Sequence, residues 1–179
     1  MPAVLPSPLQ SLRLDSWTRQ SHRRTVIDLT LDQLREQTPP NTPWFGLDLG
    51  EKTIGVATSD PARVIASPLQ LIRKTKFTDD AHTLLKLMDA RSASGLVIGL
   101  PLNMDGTEGP RAQSCRAFAR NLQRLRPVPV AFQDERLSTS AVERFLIEDL
   151  DLNRKRRAQV VDRTAAAWIL QGALDRLRG

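Results

Sequence analysis

The chain has no tyrosine, one cysteine and two histidines in 179 residues, and each scarcity removes a class of chemistry. Cys115 has no partner for an internal disulfide, and a zinc site built from several cysteines is excluded. His22 and His82 leave little material for a histidine-dependent triad or a histidine-rich metal centre, so any catalysis must lean on carboxylates. No apolar run approaches the ~20 residues of a membrane span. Lysine is scarce as well: 5 Lys accompany 21 Arg among the 26 cations, against 20 acids. Arginine is the better planar, bidentate partner for phosphate, so the expected partner is a polyanion such as nucleic acid, although mild basicity also occurs in soluble proteins that bind nothing anionic. The N-terminus is arginine-rich, with Asp15 the one acid before Asp28; it resembles a transit peptide in composition but lacks a signal-peptide apolar stretch. With a lone cysteine, a cytoplasmic protein is expected.

What is present falls into two parts. Residues 1–43 hold six prolines and scattered Arg and Ser, with a short helix expected over Leu31–Gln37 before the sequence TPPNTP. They read as an N-terminal extension of flexible character, and the packed domain is expected over 44–179. From Trp44 to Leu49 the side chains alternate, placing Phe45, Leu47 and Leu49 on one face and Gly46 and Asp48 on the other. A turn at Gly50–Thr53 leads to a return strand ending at Ser59, and a weaker extended pattern spans Val64–Ile72. The rhythm then becomes helical over Thr78–Arg91, with Gly95 as the expected stop. GLVIGLP, from Gly95, reads as a strand covered on both faces. Pro110 opens a helix with a Cys115, Phe118, Leu122 and Leu125 stripe, and PVPVAFQDER is the next strand. Ser140 and Glu143 form a capping box for a helix to about Leu150; DLNRKRRAQ reads as a basic connector and Val161–Arg178 as the last helix. Antiparallel strands first and parallel crossovers afterwards imply an α/β mixed sheet with helices on both faces.

Three acids stand inside otherwise apolar or small-residue structure: Asp48 in the first strand, Glu135 at the end of VAFQDE and Asp162 in the last helix. On a helical wheel Asp162 shares the inward face with Ala165, Ala166, Ile169 and Ala173, opposite a strand face carrying Gly46, Gly50, Gly55 and Ala57. Small residues on both sides permit a close approach. Converging carboxylates repel unless a divalent cation lies between them, and hard oxygen ligands select Mg²⁺ or Mn²⁺. Each acid has a plainer role open to it: Asp48 bonding its own turn, Glu135 pairing with Arg136, Asp162 favoured by the helix dipole. Asp134 competes with Glu135, because a register slip of one residue exchanges their faces.

FGLDLGEKTIGVATSD, VIGLPLNMDGTEGPRAQSCRAFARNL, DERLSTSAVERFL and DRTAAAWILQGALD resemble, in order over residues 44–178, the signature blocks of the YqgF (RuvX) family. These are nucleases of pre-16S rRNA, also described as Holliday-junction-resolvase-like. The resemblance implies a ribonuclease H-like fold and a metal-dependent endonuclease, with 5′-end processing of pre-16S rRNA as the main activity. It implies resolution of four-way DNA junctions, a step of recombination and repair, as a second activity. By motif position it assigns catalysis and metal binding to Asp48, Glu135 and Asp162. Where resolvases of the RuvC type carry a further acid after the fourth strand, this chain has Leu100 and Pro101. A homodimer is expected by analogy.

Around these acids, Asn103, Gly106 and Arg111 read as contacts to a nucleic-acid backbone, with an ordinary turn and helix cap as the alternative. Thr53, Arg136 and Ser138 are candidate helpers near the phosphate. Arg154, Lys155, Arg156 and Arg157 are positioned to steer phosphates, or form a solvated linker. Two other readings are a non-catalytic RNA-binding ribosome-assembly factor, and a phosphotransferase on the strength of DLGEKTIGVA. The latter needs a second lobe for which the chain has no room.

Overall fold

The computed structural model describes residues 27–137 and 154–179, with the backbone alone for Leu137 and residues 154–163. In chain order the elements are α1 (Leu31–Gln37), β1 (Trp44–Leu49), β2 (Thr53–Ser59), β3 (Ala66–Arg73), α2 (Phe77–Arg91), β4 (Gly95–Leu100), α3 (Pro110–Leu125), β5 (Val130–Asp134) and α4 (Arg154–Arg178). A single 3₁₀ turn, Glu135–Leu137, continues β5. The helix expected between Ser140 and Leu150 lies outside the described residues.

The five strands form one sheet in the order β3-β2-β1-β4-β5. β1 pairs antiparallel with β2 and parallel with β4, and β4 pairs parallel with β5. This is the mixed sheet expected from the strand order, and it agrees with the ribonuclease H-like fold that the family resemblance implies. Its consequence for function is local: β1, β4 and β5 end at the same sheet edge, where parallel sheets deliver ligand-binding groups.

Alternation along β1 divides the core. Phe45, Leu47 and Leu49 join Leu84, Met88, Cys115 and Leu122 beneath α2 and α3. Trp44 joins Ala57, Val97, Ala166, Leu170 and Leu174 on the opposite face, beneath α4. β4 is buried on both sides, as its uninterrupted apolar run requires. Close packing under α4 depends on the bare backbone of Gly46: a Cβ there would lie 2.6 Å from Leu170 Cβ and 2.7 Å from the Ala166 carbonyl oxygen. Gly50, expected on the same helix-facing surface, instead serves the β1–β2 turn, where a Cβ would meet the Thr53 carbonyl oxygen at 3.2 Å.

Several boundaries differ from the sequence reading. α2 ends at Arg91 as expected, but its cap is Ser92 rather than Gly95: Ser92 takes φ +53° and its N–H donates to the Asp89 carbonyl. Gly95 starts β4, where a Cβ would fit only tightly against Leu34, Thr38 and Trp44, at 3.0–3.2 Å. Leu125 is exposed, and the buried stripe of α3 runs through Ala112, Cys115, Ala119 and Leu122. Arg154–Gln159, read as a connector, already belongs to α4. Ahead of Trp44, Thr30 closes a reciprocal capping box with Gln33 that starts α1, and Leu34 is fully buried against the α4 side of the sheet.

Candidate active site

Asp48 is the next-to-last residue of β1 and lies opposite Gly55 in β2. Strand alternation puts it on the face of Gly46, the face α4 covers. Leu47 pairs with Ile98, so Asp48 and Gly99 are the next residues along two adjacent parallel strands. Glu135 comes from the first residue beyond β5, and its carboxylate rests on Gly99: a Cβ at Gly99 would collide with Glu135 Oε1 and lie 2.6 Å from Ile169 Cδ1. The bare backbone of Gly99 is thus what lets two acids from different strands gather at one strand end.

Electrostatics record the same proximity. Burial, then the negative charge of Asp48, pushes the Glu135 carboxyl up to about 7, against the opposing pull of Arg111. Cys115, on the other face of the sheet at the same end, is pushed up to about 11, first by burial and next by Glu135; Asp48 adds to the rise, and Arg111 and Lys74 oppose it. A buried thiol held protonated in this way is a packing residue, not a nucleophile.

Asp134, the competing acid, has a close cationic partner. Asp134 is engaged by Arg136, whose Nη2 lies 2.7 Å from Oδ2 and whose backbone N–H donates to Oδ1 at 3.0 Å. This pairing holds the Asp134 carboxyl below its usual range. Arg136, expected to help near the phosphate, therefore spends its fork on Asp134, with Nη1 3.4 Å from the Met104 carbonyl oxygen. Asn103 is a loop builder: its carbonyl accepts from the Gly106 N–H at 2.8 Å and its Nδ2 donates to Thr107 Oγ1 at 2.9 Å. Gly106 has φ +86°, the left-handed conformation that this tight loop requires. Thr53 begins β2 across the turn from Gly50. Arg111 lies in the first turn of α3, exposed and without an ion pair to any described residue.

Asp162 belongs to α4, four residues or one turn before Ala166, whose carbonyl lies against Gly46. Its side chain, those of Arg154, Lys155, Arg156 and Arg157, and all of Ser138 lie outside the described residues. Among the described residues no three acidic, histidine or cysteine side chains gather closely enough to hold a metal ion; Asp48 and Glu135 are a pair. Leu100, at the end of β4, is buried in the core and offers no ligand. Gly99 was not singled out from the sequence, yet the signal was there: a glycine inside a buried central strand marks a close approach.

The profile of the family described as "RuvX: Holliday junction resolvase" matches residues 42–176. A protein of Phenylobacterium zucineum named "Putative pre-16S rRNA nuclease" is 69% identical, over 86% of this chain and 97% of its own length. Proteins of the same name from Paracoccus denitrificans and Caulobacter vibrioides are 62% and 60% identical over 86% and 84% of this chain, and 96% and 97% of theirs. Among solved structures, RuvC of T. thermophilus in complex with a Holliday junction superposes with a TM-score of 0.49 at 12% identity, covering 76% of this chain and 96% of the other.

Proposed function

This chain belongs to the RuvX family, a family of nucleases that hydrolyse phosphodiester bonds, and from that premise we propose that it is a divalent-metal-dependent endonuclease acting on structured nucleic acid. Its proposed main substrate is pre-16S rRNA, the molecule that the names of its relatives carry, cut in its 5′ region, with four-way DNA junctions as a second substrate. The observation that carries this reading is the convergence of Asp48 and Glu135 at one strand end, where Glu135 rests on Gly99 and burial, then Asp48, pushes its carboxyl up to about 7. Such a pair fits a hard divalent cation, which would relieve the repulsion and supply the missing positive charge. Asp48 and Glu135 would hold Mg²⁺ or Mn²⁺, with Asp162 as the third ligand from α4. A cation so held would supply activation of the attacking water and stabilisation of the leaving oxygen.

The chain's own residues supply position. β1 and β5 fix the two carboxylates on rigid strand ends, Arg136 removes Asp134 from competition, and Arg111 offers an exposed guanidinium beside the acids. No side-chain nucleophile is required, consistent with the protonated state of Cys115. By analogy with resolvases a homodimer is proposed, which light scattering on the purified protein would check.

The test is cleavage of precursor-rRNA fragments, single-stranded RNA and four-way junctions, in parallel, with Mg²⁺ or Mn²⁺. Wild type should cut the precursor best. Asp48→Asn should lose more than the ~10–100-fold that removal of a merely supporting residue costs. Cleavage surviving that substitution would remove Asp48 from the site, and equal cutting of all three substrates would remove the processing role.

A further inference from the structure

A cleft of about 490 Å³ opens beside Leu49 and Gly50, immediately past Asp48, between the start of α2 and the first three turns of α3. Its size falls within the ~300–1,000 Å³ of small-ligand sites. Two kinds of surface line it. Phe77 and Phe118, packed edge to face with centroids 5.5 Å apart, form an apolar wall. Lys74 and Arg111, both exposed, form a cationic rim. Lys74 Nζ donates to the Gly50 carbonyl, which holds the ammonium at the mouth while leaving two further N–H donors. Arg111 has no ion pair with any described residue, and its charge opposes the rise of the Glu135 carboxyl, which sets it near the acidic pair at the same end of the sheet.

An apolar wall with an adjoining pair of cations matches a nucleotide: a flat base on one side, an anionic phosphate on the other. We propose that this cleft binds one nucleotide of the substrate strand next to the bond to be cut, its base against Phe77 and Phe118 and its phosphate on Lys74 and Arg111. Lys74 is thereby a positioning residue of the reaction. The identity of the ligand rests on the nuclease reading above; its binding does not depend on cleavage.

The experiment uses the full chain carrying Asp48→Asn and follows a short fluorescent single-stranded RNA by anisotropy across a salt series. Adding Lys74→Gln, whose amide can still donate to Gly50, should weaken binding and lower the log–log salt slope by ~0.7, one phosphate contact on a single strand. Lys74→Arg should restore the slope. Ser114→Trp, which fills the cleft from α3, should weaken binding several-fold with the slope unchanged, circular dichroism confirming that the chain is folded. An unchanged slope in Lys74→Gln would overturn the proposal, as would unchanged affinity in folded Ser114→Trp. Adenosine monophosphate competing as strongly as the RNA itself would overturn the assignment to a substrate strand. If these shifts appear while wild type cuts no substrate, the cleft stands and the nuclease reading falls.

Discussion

Two glycines, each under α4, separate stability from activity. At Gly46 an added Cβ would press on the Leu170 Cβ and the Ala166 carbonyl, both held by a helix that cannot yield locally. Gly46→Ala should therefore cost about 1–3 kcal/mol, read as a lower urea midpoint with an unchanged slope. At Gly99 the added atom would collide with the Glu135 carboxylate and the tip of Ile169, both side-chain ends rather than backbone. Gly99→Ala should leave the urea midpoint closer to wild type than Gly46→Ala does, while cleavage falls at least tenfold because Glu135 is displaced from Asp48. A third residue tests electrostatics away from the site. Asp60 Oδ1 accepts the Val64 and Ile65 N–H groups at 2.7 and 2.8 Å, and these bonds, that of Ile65 foremost, hold its carboxyl below the usual range. A depressed folded-state pKa stabilises above the unfolded value of ~3.9 and ceases to do so as pH falls through the lower folded value. Asp60→Asn should thus be less stable than wild type at pH 7, by about 1 kcal/mol or less at this exposed turn, with the gap closing under acid. Urea melts of both proteins at neutral pH and below the folded pKa would measure it.

At the scale of the element, legibility followed the strength of the local signal. β1 and β4 were readable almost to the residue, because alternation and an unbroken apolar run each leave one interpretation; α1 has the bounds expected for it, and its Thr30–Gln33 capping box emerged only from the structure. The start of α4 was not, since RKRR is polar all round and carries no periodicity; helix there follows from continuation of the packed turns beyond it. The pairing of Asp134 with Arg136 was equally hidden, because a strand register is ambiguous by one residue until its neighbours are known. The loop between β4 and α3 shows a tertiary device with no sequence signature. Arg116 grips Glu108 through Nε at 2.8 Å and through Nη2, reaches Asp28 at 3.1 Å and lies 4.8 Å from the centre of the Phe132 ring. These contacts tie the base of the loop to β5 and to the segment before α1. Arg116→Gln should speed amide exchange in residues 102–108 several-fold while β4 and β5 amides keep their protection, the signature of local opening. Equal loss of protection in the strands would show the contact to be global instead.

At the scale of the whole molecule the question is where the folded unit begins. The proline cluster before Trp44 reads as a boundary, yet the chain crosses it twice in structural terms. Leu29 pairs with Ala131 at the outer edge of β5, and its N–H donates to the Val130 carbonyl at 3.0 Å. This places backbone on an edge that would otherwise stand open to a second chain. Downstream, Thr38 Oγ1 accepts from Trp44 Nε1 at 3.0 Å, and Arg63 stacks 4.5 Å from the Trp44 ring while Nε donates to the Thr42 carbonyl at 2.9 Å. The prolines therefore shape a packed bend rather than a hinge, and α1 completes the core on the α4 side. Leu34, wholly buried there, is the measure of this. Leu34→Ala should cost about 2–5 kcal/mol, which in a domain of this size lowers Tm by roughly 4–20 °C. A substitution in a dispensable extension would leave Tm within about 2 °C, because surface changes stay within about ±0.5 kcal/mol. Thermal melts of Leu34→Ala beside the exposed Glu36→Ala make the comparison within one helix. Equal Tm values for the two would place α1 outside the cooperative fold. A wide gap would show that the scaffold holding Asp48 and Glu135 extends across the prolines to Leu29.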